Sequence, residues 1–185
     1  FLTLKDLNIN DEPQETGSHP QENAIIKAKY YGQYFDLVLC NDSGLYFDTL
    51  ALDDKRQPGL NIRSPQGKRL NDEQMITYYS SLIHSLGGQV KAYYLDGIAV
   101  YNHGHIYSFM EKNENMFYMV DKPALSRHVG WPLDSLSIHM NTNTYFVENA
   151  NNRYNTDHDQ IMIGEYRKHL VNFLIQSLQI EKTHF

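Results

Sequence analysis

Cysteine is nearly absent: Cys40 is the single one in 185 residues, which excludes an intrachain disulfide framework and fits a reducing compartment. No apolar run approaches the roughly 20 residues needed to span a bilayer, and no charged-then-apolar leader opens the chain. The expectation is a soluble, cytoplasmic protein without a membrane partner. Basic residues are also in short supply. The 16 Lys and Arg are scattered and outnumbered by 22 Asp and Glu, giving a net charge of −6, so there is no electrostatic footprint for a nucleic-acid backbone. An anionic substrate would need a metal ion or a local basic cluster. Gly-x-Ser-x-Gly elbows and Gly-Lys-Ser phosphate loops are both missing. What is present is 41 % hydrophobic residues, enough for one domain with a sizeable core.

Along the chain, "FLTLKDLNI" reads as a short strand followed by an acidic connector from Asn10 to Gly17. Ser18 with Gln21 resembles a capping box, and Pro20 suits a first helical turn, so a helix is expected from about Pro20 to Tyr34. Leu37-Val38-Leu39-Cys40 reads as a buried strand that ends on Asn41-Asp42-Ser43-Gly44. A basic Pro/Gly loop, "DDKRQPGLNIRSPQGKR", comes next. Asn71 with Gln74 signals a second helix, in which Met75, Tyr79, Leu82 and Leu86 recur at helical spacing before Gly87-Gly88. "VKAYYLDGIAVYN" and "HIYSFMEK" read as strands joined through His103-Gly104, and "MFYMV", "LSIHM" and "TYFVE" as further strands. From Gln160, the positions Ile163, Tyr166, Leu170, Phe173, Leu174 and Leu178 make a closing amphipathic helix. The class expected is α/β: a long, twisted mixed sheet flanked by helices.

Several residues carry two readings on their own. Asp42 is either a polar turn residue capping an amide or a ligand group beyond a strand end, where open α/β sheets collect ligands. Trp131 is a core or rim aromatic, or a stacking surface. Cys40 reads as a small core residue. His103 and His105 share strand parity at a hairpin tip with no third ligand near in sequence, and "DHD" at 157–159 lies beside an Asn-rich loop.

Four segments in one order, "ETGSHPQENAIIKA", "CNDSGLYFDTL", "QPGLNIR" and "GWPLDSLSI", make the sequence resemble the inosine triphosphate pyrophosphatase family. Its members cleave aberrant purine nucleoside triphosphates to the monophosphate and pyrophosphate. The resemblance implies two lobes with a nucleotide cleft between them, a Mg²⁺ cofactor and a homodimer. It places Glu22 and Asp42 as metal ligands, with Asp42 also activating water, and Ser43 and Gly44 beside the substrate. Arg63, in the Pro-Gly loop, falls on a position that contacts phosphate, or is simply solvated. Trp131 takes the place of the ring that stacks on the purine, and Asp134 that of the carboxylate at the base-recognition edge. A 6-oxopurine with a protonated N1 can donate to such a carboxylate and adenine cannot.

The chain departs from the family pattern in three places. The Thr-x-Asn-x-x-Lys turn that cradles the phosphates has no counterpart: either residues 1–185 form one domain lacking an N-terminal strand-helix unit, which is the expectation, or the domain has lost its phosphate cradle. Asn41 replaces the first acid of a pair. The Ser-His-Arg near the C-terminus is replaced by "IMIGEYRKHL", where Arg167 or Lys168 is the basic residue at hand. Two functions from different classes follow: a Mg²⁺-dependent nucleoside triphosphate pyrophosphatase, or a catalytically impaired nucleotide-binding or interaction protein of the same fold.

Overall fold

The structure, a computed structural model, describes residues 2–113, 115–148 and 157–179, without the side chains of Gln66 and residues 157–163. The elements are α1 (Pro20–Tyr31), β1 (Leu37–Phe47), α2 (Asp72–Ser85), β2 (Gln89–Asn102), β3 (His105–Lys112), β4 (Phe117–Val120), β5 (Ser137–His139) and α3 (Asp157–Leu178), with three short 3-10 turns.

The α/β class holds, and every described strand pair is antiparallel. β2 is the spine. It pairs with β1 along the whole of β1, from Leu37↔Asn102 to Phe47↔Ala92. Its other side is shared, with β3 on residues 95–102 and β4 on residues 89–92, and β4 carries β5.

Two apolar cores lie along this ribbon. Under α1, Ala24 and Ala28 meet Ala99, with Ile25, Cys40, Tyr101 and Ile106 packed around them. Under α2, Met75, Ile76, Tyr79 and Ile83 meet Leu45, Phe47, Val90 and Ala92. Asn41 to Gly44 occupy the stretch of β1 between the two. Burial beside α1 pushes the Cys40 thiol up to about 11, against the opposing pull of the Lys27 ammonium, which agrees with a small core residue.

Where a helix or turn carries its own signal, sequence and structure coincide. Asn71 accepts from the Gln74 amide at 2.9 Å and the Gln74 side chain accepts from the Asn71 amide at 3.0 Å, a complete capping box. His103 and Gly104, at φ 45° and 90°, make the two-residue turn between β2 and β3.

Other expectations are corrected. β1 does not end on Asp42: it runs unbroken through the motif to Phe47, because its pairing with β2 continues. Its first half is not covered on both faces either, since Leu37 and Leu39 are 52 % and 44 % exposed on an edge strand. Residues 1–9 give no strand among those described. Asp6 accepts from the amide and hydroxyl of Thr3, and Ile9 donates back to the Leu4 carbonyl, closing local turns that compete with extended pairing. At the start of α1 the N-cap is His19, with Pro20 behind it and no side-chain cap. Ser18 instead donates to Glu22. The helix ends at Tyr31, capped by Gly32, where a Cβ would run into the Tyr101 ring. In "TYFVE", Tyr145 makes one bridge to Ile138, and 146–148 form a 3-10 turn. The Asn-rich segment at 149–155 lies outside the described residues.

Gly97 positions α1. A Cβ there would sit 2.3 Å from the Gln21 nitrogen and the Pro20 carbonyl carbon, so the first turn of α1 lies directly on β2. Gly97→Val should destabilise the fold by about 1–3 kcal/mol or more, as overpacking against backbone does, and urea unfolding should show it as a lower midpoint.

Candidate functional site

Gly97 is the register partner of Asp42, so the close approach it permits brings the start of α1 over that carboxylate. Asn23, 3 % exposed, accepts from the Gly17 amide at 2.8 Å and donates from Nδ2 to Asp42 Oδ2 at 3.0 Å. One helical turn on, Lys27 Nζ lies 3.0 Å from Asp42 Oδ1 and 3.1 Å from Glu15 Oε1. Burial works against the Lys27 ammonium, but its bonds to Asp42 and Glu15 outweigh that and raise its pKa. Gly17 is held to a hydrogen side chain by crowding, since a Cβ would come within 2.6 Å of Asn23 Oδ1.

Glu15, Asn23 and Lys27 were not singled out from the sequence. A signal existed for two of them: Asn23 and Lys27 are four apart on α1, beside the buried Ala24 and Ala28, and a buried polar pair at that spacing faces something polar.

Glu22 points elsewhere. Its carboxylate accepts from the Ser18 amide and hydroxyl, at 2.7 and 2.9 Å, and these bonds hold its pKa below the usual value. Ser43 also diverges from Asp42, because successive strand residues face opposite ways. It shares its face with Asp96 and Glu111, whereas Asp42 shares one with Gly97. Among the described residues no group of three His, Cys, Asp or Glu side chains could hold a metal ion.

A second assembly gathers three residues singled out from the sequence. Arg63 Nη1 pairs with Asp72 at 2.8 Å, Arg63 Nη2 donates to the Gly130 carbonyl at 3.1 Å, and the Gly130 amide donates to Asp72 at 2.7 Å. The Arg63 guanidinium and then that amide lower the Asp72 pKa. Arg63 is therefore a strut tying the Pro-Gly loop and α2 to the turn that carries Trp131. Trp131 is 61 % exposed and Asp134 is 9 % exposed. His128, which sequence reasoning passed over, has Nδ1 2.9 Å from Asp134 Oδ2, and its ring lies 6.3 Å from that of Trp131. Beside this loop an open depression of about 770 Å³ is lined by Arg63, Arg69, Leu70 and the start of α2. Arg167 is exposed on α3, where its neighbours Tyr166 and His169 engage Asp96 and Glu111. No described helix is long and apolar enough to cross a membrane.

The chain is similar to proteins called dITP/XTP pyrophosphatase. One from Leptospira interrogans is 36 % identical over 122 residues, covering 63 % of this chain and 57 % of that protein. One from Dictyoglomus thermophilum is 48 % identical over 50 residues, 26 % of this chain and 24 % of that protein. The chain thus spans 57 % of the length of the Leptospira relative. By fold it is similar to the Ham1 protein of Staphylococcus aureus, with a TM-score of 0.65 and 19 % identity over 91 % of this chain and 85 % of that one. That likeness is one of overall fold. With the Ham1 family model matching residues 1–155, which include both the Asp42 cluster and the Trp131 turn, the chain belongs to the Ham1 family.

Proposed function

We propose that this protein hydrolyses aberrant purine nucleoside triphosphates (ITP, dITP, XTP) to the monophosphate and pyrophosphate, with Mg²⁺ as cofactor. The observation that carries the reading is the environment of Asp42: a carboxylate between two cores, held by Asn23 and Lys27 over a glycine that makes room for them. Family membership and the names of the relatives agree with it.

Glu22, held below the usual carboxylate pKa by Ser18, is the carboxylate that would hold such an ion, since Mg²⁺ takes one or two carboxylates plus phosphates and waters rather than an all-protein cage. When bound, it supplies neutralisation of phosphate charge. Asp42 takes a proton from the attacking water as its oxygen bonds the first phosphorus; the bond to the bridging oxygen of the second phosphate breaks, and pyrophosphate leaves. Asn23 and Lys27 keep that carboxylate fixed. At the other assembly, Trp131 offers an exposed face for the purine, and the polar pair behind it, His128 and Asp134, faces the base edge.

The oligomer expected from the resemblance is a homodimer, and the compartment is the cytoplasm. Among the described residues β1 lies at the edge of the sheet, a suitable place for a further strand to pair. Asn41, which removes one acid of the pair, favours the second reading, a nucleotide-binding protein of the same fold with impaired catalysis. Pyrophosphate release from inosine triphosphate by the full-length protein, with and without Mg²⁺, separates them. Release that needs Mg²⁺ supports the enzyme; binding without release supports the impaired protein.

A further inference from the structure

We propose that the base edge in this chain is read by His128, with Asp134 acting as the positioning residue behind it. The inference rests on the nucleotide reading above and changes which atom meets the purine.

Asp134 is poorly placed to touch a ligand. Its side chain is 12 % exposed and its Oδ2 is engaged by His128 Nδ1 at 2.9 Å, whereas the His128 side chain is 41 % exposed. A base sliding onto Trp131 therefore meets the imidazole before the carboxylate. An ionised carboxylate only accepts hydrogen bonds, so the contact requires Nδ1 to carry the proton. In the neutral ring Nε2 is then left with a lone pair.

That lone pair discriminates. A 6-oxopurine carries a hydrogen on N1 and can donate to Nε2; adenine presents a bare N1 lone pair there and cannot. The two surfaces needed, a stacking face and an acceptor edge, are held in fixed relation. The Trp131 amide donates to the His128 carbonyl at 2.9 Å, closing the turn between them, and Arg63 with Asp72 grips the Gly130 peptide in its middle. The ring centroids lie 6.3 Å apart with their planes at 33°, and on this proposal the base lies on the indole with its edge toward the imidazole.

The test uses full-length protein with Ca²⁺ and titrates inosine and adenosine triphosphate against wild type, His128→Phe, His128→Gln and Asp134→Asn. Wild type should prefer inosine triphosphate. His128→Phe should lower that preference by roughly 10- to 100-fold, the scale on which an unpaired polar contact discriminates. His128→Gln, whose amide oxygen can accept, should retain more of it. Asp134→Asn, which can present a donor to Nδ1 and move the ring proton to Nε2, should also lower it. Independently of any variant's folding, ¹⁵N NMR of the wild-type imidazoles, with His128 assigned by its loss in His128→Gln, should show Nδ1–H at neutral pH and an Nε2 shift on adding inosine triphosphate. A proton on Nε2, or an unchanged preference in folded His128→Phe, overturns the assignment while leaving the nucleotide reading in place. A wild type that binds neither nucleotide overturns both.

Discussion

Asp42→Asn should lower turnover of inosine triphosphate by at least ~100-fold, the size of loss expected when a positioned general base is removed. The substitution is close to isosteric, and the amide oxygen can still accept from Asn23 or Lys27, while Lys27 retains Glu15. The fold should therefore survive, and circular dichroism with urea unfolding should show it. What disappears, on the proposed mechanism, is the group that takes the proton from water. Lys27 does not confound the comparison across neutral pH. Its folded pKa is raised, so its contribution to stability is fully present below the unfolded value of about 10.4 and is lost only as pH rises through the higher folded value. A rate within a few-fold of wild type in folded Asp42→Asn shows that Asp42 is not the base.

Trp131→Ala should weaken binding of inosine triphosphate by roughly 5- to 150-fold, which corresponds to ~1 to 3 kcal/mol of base stacking. The side chain is 61 % exposed, so its removal takes little from the core, and stability should change by no more than about 0.5 kcal/mol. Trp131 is also the single tryptophan of the chain, so its fluorescence reports base binding without a label. Inosine triphosphate with Ca²⁺ should quench the emission without turnover, and adenosine triphosphate should do so only at much higher concentration. Both carry the same triphosphate, so the base alone separates them. If calorimetry shows inosine triphosphate binding while the emission stays constant and Trp131→Ala binds equally well, the base lies elsewhere.

The sequence by itself determined the elements whose signals are local. The Asn71–Gln74 box started α2, the His103-Gly104 pair turned β2 into β3, and the repeat from Ile163 to Leu178 foretold α3, because capping and helical periodicity act across three or four residues. Motif order was enough to point to the family. Tertiary structure alone decided what those motif residues touch. Asp42 meets Lys27 across 15 positions and Asn23 across 19, and Arg63 meets Gly130 across 67. Each contact depends on the β1–β2 register and on α1 settling against Gly97, a glycine that carries no motif. The same register carried β1 past its polar centre instead of ending it there, since eleven successive residue pairs with β2 outweigh a local turn signal at Asn41 to Gly44. His128 was illegible for a related reason: its meaning comes from Asp134, buried behind it, and nothing in the spacing of a single exposed histidine reveals which of its nitrogens a neighbouring carboxylate has taken.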